Sequence, residues 1–351
     1  MKRRDFLTAL RHGPTAGGRA ARVDAWTWVG GGGDRDADEW RRSFARVRGA
    51  GISGVLVGGG DTTVLGDAAH AEGLSFHRWT WMCNRNGDAR VQAEHPEWFA
   101  VSREGKSSLT HPPYVGYYKW VCPTRPAVRA YLRDLVDRTA ADPRVDGVHL
   151  DYIRYPDVIL PRGLWGKYGL VQDRELPQFD FCYCDVCRET FRAQSGVDPL
   201  DLPDPPSNEA WRRFRWDSVT ALVKECREAV HARGKAITAA VFPTPRLARR
   251  LVRQAWDEWH LDAVFPMLYS AFYLEDLPWI GTSVTEGLKA LTAAGGGTSL
   301  RAGLYLPSLD PDSLIEAVEI ARNAGARGIS LFDMGALDDV HLAAVQEALR
   351  A

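Results

Sequence analysis

The sequence has no long apolar run: none reaches the roughly 18 residues that a membrane span needs. It has no basic tract beyond its first few residues, and its formal net charge is -1. Nothing here makes an electrostatic footprint for nucleic acid. No Gly-x-Gly-x-x-Gly joins a strand-like run to a helical one, which argues against an open sheet cradling a dinucleotide. The nine histidines form no His-x-x-x-His pair, so each reads as a structural residue. A Gly-x-Ser-x-Gly elbow is also missing, which leaves a serine hydrolase without support.

What is present is ordinary globular material. The chain has 351 residues, 45% hydrophobic and 25% charged, enough for a large core. Its 13 Trp tilt the reading toward a ligand with flat apolar faces. Lys2-Arg3-Arg4-Asp5-Phe6-Leu7 resembles a twin-arginine export signature, but Arg11, His12, Gly13 and Pro14 interrupt the apolar region such a signal needs. Residues 1–22 therefore read either as an export signal or as a degraded one, a basic tail on a cytoplasmic protein.

From residue 23 to 351 the pattern is that of one domain. Strand-like runs fall at Asp24–Val29, Ile52–Val57, Leu74–Met82, Val145–Asp151, Ala236–Phe242, Leu261–Tyr269, Arg301–Leu306 and Gly328–Asp333. Helical periodicity appears at Asp38–Arg48, Pro126–Ala140, Asn208–Arg233, Arg246–Glu258, Pro311–Ala324 and Asp338–Arg350. Eight strands alternating with helices predict a parallel sheet closed into a (β/α)8 TIM barrel. Long insertions follow strand three (Asn84 to about Trp120) and strand four (Pro156 to about Pro206). Both would wall the C-terminal face, where barrel active sites are built.

The stretch Val145-Asp146-Gly147-Val148-His149-Leu150-Asp151-Tyr152-Ile153-Arg154-Tyr155-Pro156 organises the rest. Strand alternation puts His149 and Asp151 on one face and Val148 and Leu150 on the other. The polar face then points into the barrel, with Asp151 at its mouth. Asp61, Trp81, Asn84, Arg154, Tyr155, Tyr269 and Asp333 also fall at strand ends. Such a rim suits a polyhydroxylated ligand, with Trp81, Asn84, Arg154, Tyr155 and Tyr269 as substrate contacts. Glycoside hydrolysis normally uses two carboxyl groups. Asp151 is the first choice and Asp333 the second, ahead of Asp157, Asp61 and Glu275; Asp333 alternatively caps the turn at Met334-Gly335. Arg154 is expected to hold Asp151 ionised, to bind an acidic sugar, or to make a structural ion pair.

Cys182, Cys184 and Cys187 form a compact Cys-x-Cys-x-x-Cys, and zinc would want a fourth thiolate from Cys122 or Cys83. Free thiols, or one disulfide if the chain is exported, are the alternatives. A structural zinc is the expectation, with Cys122, Cys182, Cys184 and Cys187 as ligands and no organic cofactor.

The Val145–Pro156 motif resembles uncharacterised glycoside-hydrolase-like barrel families, labelled family-10-like or hypothetical glycosyl hydrolase family 6. Cys122-Pro123-Thr124-Arg125-Pro126, Ala239-Ala240-Val241-Phe242-Pro243, Phe265-Pro266-Met267-Leu268-Tyr269 and Gly328-Ile329-Ser330-Leu331-Phe332 also fit. The resemblance implies a barrel acting on a carbohydrate, with Asp151 similar to a strand-four nucleophile. The usual strand-five acid is absent, since that strand runs into Phe242-Pro243-Thr244-Pro245. The cysteine motif is similar to the structural zinc cluster of some barrel β-galactosidases, whose paired catalytic glutamates are not evident here. Three readings follow: a glycoside hydrolase of oligo- or polysaccharides, a carbohydrate-binding barrel without catalysis, and a metal-dependent hydrolase or lyase using the cysteines.

Overall fold

The computed structural model describes residues 23–350. The residues of the export-signal question lie outside them. Eight parallel strands close into a barrel in chain order. They are β1 (Asp24–Gly30), β2 (Gly54–Gly58), β3 (Ser75–Trp81), β4 (Gly147–Asp151), β5 (Ala236–Val241), β6 (Ala263–Pro266), β7 (Ser299–Tyr305) and β8 (Gly328–Phe332). Closure is direct: β1 pairs with β8 from Asp24↔Gly328 to Thr27↔Leu331.

The helices in chain order are α1 (Ala37–Gly49), α2 (Thr62–Ala71), α3 (Ala89–Glu94), α4 (Pro126–Ala140), α5 (Trp165–Tyr168) and α6 (Asp185–Ser195). They continue with α7 (Glu209–Ala232), α8 (Pro245–Val252), α9 (Ser270–Tyr273), α10 (Pro278–Ala293), α11 (Pro311–Asn323) and α12 (Asp339–Arg350). No helix of the described residues is long and apolar enough to cross a membrane. The longer ones follow local chemistry. Asp36 and Glu39 form a capping box at the start of α1, which buries Trp40, Phe44 and Val47. Pro126 opens α4, which buries Val128, Leu132, Val136 and Ala140. Full burial of each such Val, Leu or Phe contributes about 1.5–3 kcal/mol.

Three elements differ from the sequence reading. Helix α2 was not expected, because its small residues give little apolar periodicity; Asp61 caps it, accepting from Thr63 N at 2.7 Å and Val64 N at 3.2 Å. Helix α10 was masked by its glycines. Gly287 is there for close packing: a Cβ would meet Leu300 at 2.8 Å and Trp256 at 3.1 Å. The helix expected over Arg246–Glu258 stops at Val252, because Arg253 is left-handed (φ 60) and fully buried.

The barrel bore is aromatic. Trp26, Trp28, Leu56, Ala240, Ala263 and Phe265 form its buried cluster, with Trp79 and Phe332 packed against it. His149 also points inward, 4.7 Å from the Trp28 ring and 4.9 Å from Phe265. Its Nδ1 lies 2.8 Å from Thr238 Oγ1. Val148 and Leu150 lie instead in the outer core beneath the helices, as strand alternation requires. Room for these rings comes from neighbouring glycines. A Cβ on Gly147 would stand 2.5 Å from His77 Nε2, and one on Gly58 2.7 Å from the Trp79 ring. At the bottom, Arg301 pairs with Asp24 at 2.6 Å. Helix α12 returns to the same end, where Gln346 Nε2 donates to Gly49 O at 3.0 Å. Both ends of the described chain therefore lie opposite the mouth.

The two insertions dock on each other above β3 and β4. Asn84 bridges Trp120, Phe99 bridges Val121, and Ser102 of the first insertion bridges Phe181 of the second. Tyr114 stacks on Phe179 at 4.2 Å and donates from its hydroxyl to Asp157 O at 2.8 Å.

Candidate active site

Asp151 ends β4 directly opposite Trp81 of β3. Its Oδ2 accepts from Trp79 Nε1 at 2.9 Å, and its Oδ1 from Tyr152 N at 2.6 Å. Burial pushes its pKa above the ordinary carboxylate value; the bonds from Trp79 and Tyr152, and more weakly the Arg154 charge, pull the other way. A carboxyl whose pKa is raised in a cleft is a candidate proton donor. The next residue, Tyr152, is left-handed (φ 50), a conformation rare for non-glycine residues and frequent at functional sites. It turns the chain off the strand and lays its ring against Trp81, centroids 4.7 Å apart.

Asp151 forms the floor of a cavity of about 370 Å³ at the barrel mouth. Its walls are mainly aromatic and include Trp79, Trp81, Tyr118, Tyr269, Tyr305 and Phe332. Its other charged groups are Arg154 and Asp157. These two pair with each other, Arg154 Nη1 lying 2.9 Å from Asp157 Oδ2, with both side chains buried. Arg154 also lies 4.8 Å from the Trp120 ring centroid and 5.0 Å from that of Phe242. Of the readings open for Arg154, the ion pair is the one seen, while its charge favours ionised Asp151 only weakly. Its nearest counter-charge is Asp157, and burial decides the state of Asp151.

The other rim residues separate. Trp81, Arg154 and Tyr269 line the cavity with Asp151. Tyr155 does not: it is buried, with its hydroxyl 3.4 Å from Thr124 Oγ1, facing the cysteines. Asn84 does not line it either; it is buried at the root of the first insertion, its Oδ1 accepting from Asn86 N. Asp61 is the α2 cap and Glu275 is exposed on the surface. Asp333 caps the turn Met334–Ala336, Oδ1 accepting from Gly335 N at 2.7 Å. It lies just outside the cavity lining, yet near enough that Asp151 and Asp333 both act on one phenol. Tyr269 is raised above its ordinary pKa by burial first, and then by Asp151, Tyr305 and Asp333. The residue that sequence reasoning missed is Trp79. Its signal was available, since it shares the face of Trp81 by period two.

The cysteines converge as expected. Sγ atoms of Cys122, Cys182, Cys184 and Cys187, all buried, lie within 4.8 Å of one another. Cys122 and Cys187 are 3.4 Å apart, Cys122 and Cys184 3.7 Å. A tetrahedral zinc with Zn–S near 2.3 Å needs S···S of roughly 3.8 Å, whereas a disulfide needs about 2.05 Å. Backbone N–H groups of Val101 and Cys184 point at Cys182 Sγ, as they would at a thiolate. The donor set fits a metal ion, and its fourth thiolate leaves no open position for catalysis. Cys83 stands apart, its thiol pushed up to about 12 by burial. No cysteine lines the Asp151 cavity.

Fold and mouth together define the class: a (β/α)8 barrel with one acid-floored aromatic pocket at the C-terminal ends of its strands. Solved structures of this architecture align over nearly the whole chain. The catalytic domain of β-amylase from Paenibacillus polymyxa matches with TM-score 0.63 at 10% identity, covering 92% of this chain and 95% of that one. The PgaB glycoside hydrolase domain from Bordetella bronchiseptica matches with TM-score 0.63 at 13% identity, covering 93% and 98%. β-Galactosidase from Marinomonas ef1 matches with TM-score 0.65 at 10% identity, covering 93% and 59%. No family model matches the chain, and no curated protein sequence matches it.

Proposed function

We propose that this chain is a glycoside hydrolase acting on an oligo- or polysaccharide. The observation that carries this reading is Asp151, a half-buried carboxyl with a raised pKa on the floor of an aromatic-walled pocket of about 370 Å³. The pocket's aromatic faces suit sugar rings. Asp151 protonates the departing glycosidic oxygen. Trp79 Nε1 holds its Oδ2 and stabilises the carboxylate that remains. Asp333, just outside the cavity lining, is the candidate second carboxyl: it would attack the anomeric carbon, or take a proton from the water that does, as that carbon's bond to the departing oxygen breaks; its Oδ2 has no hydrogen bond among the described residues. The solved glycosidase barrels of the same architecture support the reading as analogy. Zinc at the four cysteines would supply a structural cross-link between the two insertions and take no part in bond cleavage.

A screen of aryl glycosides and polysaccharides with wild type and Asp151→Asn tests this. Turnover by the wild type that falls by about 10²–10⁴ in the variant supports it, the loss expected for a missing proton donor. Unchanged turnover in the variant sinks the role of Asp151. A second reading, a sugar-binding barrel without catalysis, has one observation in its favour. Asp157 is locked to Arg154 and Asp333 Oδ1 is committed to its cap, so the cavity itself holds one uncommitted acid. That reading gains if both proteins bind oligosaccharide and neither cleaves it.

A further inference from the structure

A second cavity, of about 590 Å³, shares Trp79 and Trp81 with the Asp151 pocket as a common wall. Its remaining lining includes Gly58 and Gly59 at the end of β2, Arg78 on β3, and Asn84 and Arg85 at the root of the first insertion. Strand alternation turns Arg78 away from the bore that Trp79 enters. Arg78 Nη1 donates to Gly59 O at 2.9 Å, and among the described residues the side chain makes no ion pair. Burial draws its pKa below the ordinary value, which the more distant Asp142 and Asp61 offset only in part. Arg85, by contrast, is balanced by Asp88 at 3.0 Å.

The wall is also short of acceptors. Asn84 is 1% exposed; its Oδ1 is satisfied, but its Nδ2 has no partner among the described residues. Arg85 Nε is likewise unpartnered. Buried donors without acceptors are costly and uncommon. One unbalanced guanidinium matches one negative charge, whereas a phosphate monoester dianion would leave an excess.

We propose that this groove binds the singly charged acidic group of a glycan, a uronate carboxylate or a sulfate ester, through Arg78. Arg78 precedes Trp81 by three residues, roughly 10 Å along the strand. A short oligosaccharide crossing Trp81 spans from the groove to Asp151. This last step rests on the glycosidase reading; binding at Arg78 does not.

Titration calorimetry of the full chain with trigalacturonate, a sulfated carrageenan oligosaccharide and neutral maltotriose tests the proposal. At least one anionic probe is expected to bind about tenfold more tightly than maltotriose, with affinity falling as salt is added. The tighter of the two names the anion. Arg78→Gln should remove that advantage and leave maltotriose unchanged. Anionic probes no tighter than maltotriose, or equally tight in Arg78→Gln, overturn it. Should that variant fail to fold, salt-independent anion affinity in the wild type overturns it equally. Asp151→Asn separates the two claims. Anion binding that depends on Arg78 without any glycan cleavage retains the groove and removes the glycosidase; cleavage without any Arg78 dependence does the reverse.

Discussion

Burial raises the pKa of Asp151 above the ordinary carboxylate value, and this has separate signatures in rate and in stability. A general acid works while protonated, so the rate falls on the alkaline side as Asp151 ionises. Trp79 opposes the upward shift by donating to Oδ2. Trp79→Phe keeps a ring in the bore and removes that donor. Its pH–rate profile should show the alkaline limb displaced to higher pH; a limb unmoved would detach Trp79 from the acid. For stability the sign is fixed by the raised pKa. Above the unfolded value near 3.9 the folded state must ionise a group it prefers neutral, so stability falls as pH rises through that window. Asp151→Asn is therefore expected to melt higher than wild type at pH 7, the gap closing below about pH 4, in calorimetric scans. Strand periodicity made Asp151 and its inward face legible in the sequence. It failed at Tyr155 because Tyr152 turns left-handed and breaks the alternation just beyond the strand. Asn84 misled for a related reason, since it begins an insertion whose path no local rule fixes.

At the scale of elements, the insertions are tied to each other as well as to the barrel. The four cysteines draw residue 122 of the first onto residues 182–187 of the second. Beside them, buried Asp180 pairs with Arg215 of α7, tying the second insertion to the helical layer. Chelation, or Cys182→Ser, should lower the melting temperature by roughly 4–8 °C. This follows if the link contributes about 2–4 kcal/mol, as a covalent cross-link does, at roughly 2 °C per kcal/mol for a chain of this size. Elemental analysis should find one zinc per wild-type chain and none in the variant. Activity lost on chelation with no change in melting would overturn the structural assignment. The Cys-x-Cys-x-x-Cys spacing made three ligands legible. Cys122 was named as the fourth and does join them, although spacing alone left Cys83 open, because the choice depends on how two loops cross. Helices α2 and α10 were hidden for a different reason: small residues that serve close packing carry no periodic signal.

For the whole molecule, the count of eight strands was enough to read the closed barrel, whereas the size of its pocket depends on side chains from four of them, from the loops after β5 and β6, and from both insertions. The bore also sets a global pH limit. Burial lowers the pKa of His77 to about 4 and that of His149 well below its ordinary value. The unfolded chain takes up these protons from about pH 6.5 downward and the folded one resists. Stability is thus whole above that pH and declines as pH falls toward 4, by roughly 3 kcal/mol for His77 alone. Denaturant midpoints measured between pH 7 and pH 4 should fall steadily. His77→Asn should flatten part of that decline, and an unchanged slope would remove His77 as its source.

The placement of the ends of the described residues, 23–350, carries a practical consequence. Asp24 starts at the bottom of β1, and α12 finishes beside the α1–β2 turn, across the barrel from Asp151. A tether joined just before Asp24 or just after α12 would leave the mouth facing outward. Immobilised on a bead, the protein would present its cleft to a polymer too large to diffuse into a resin pore.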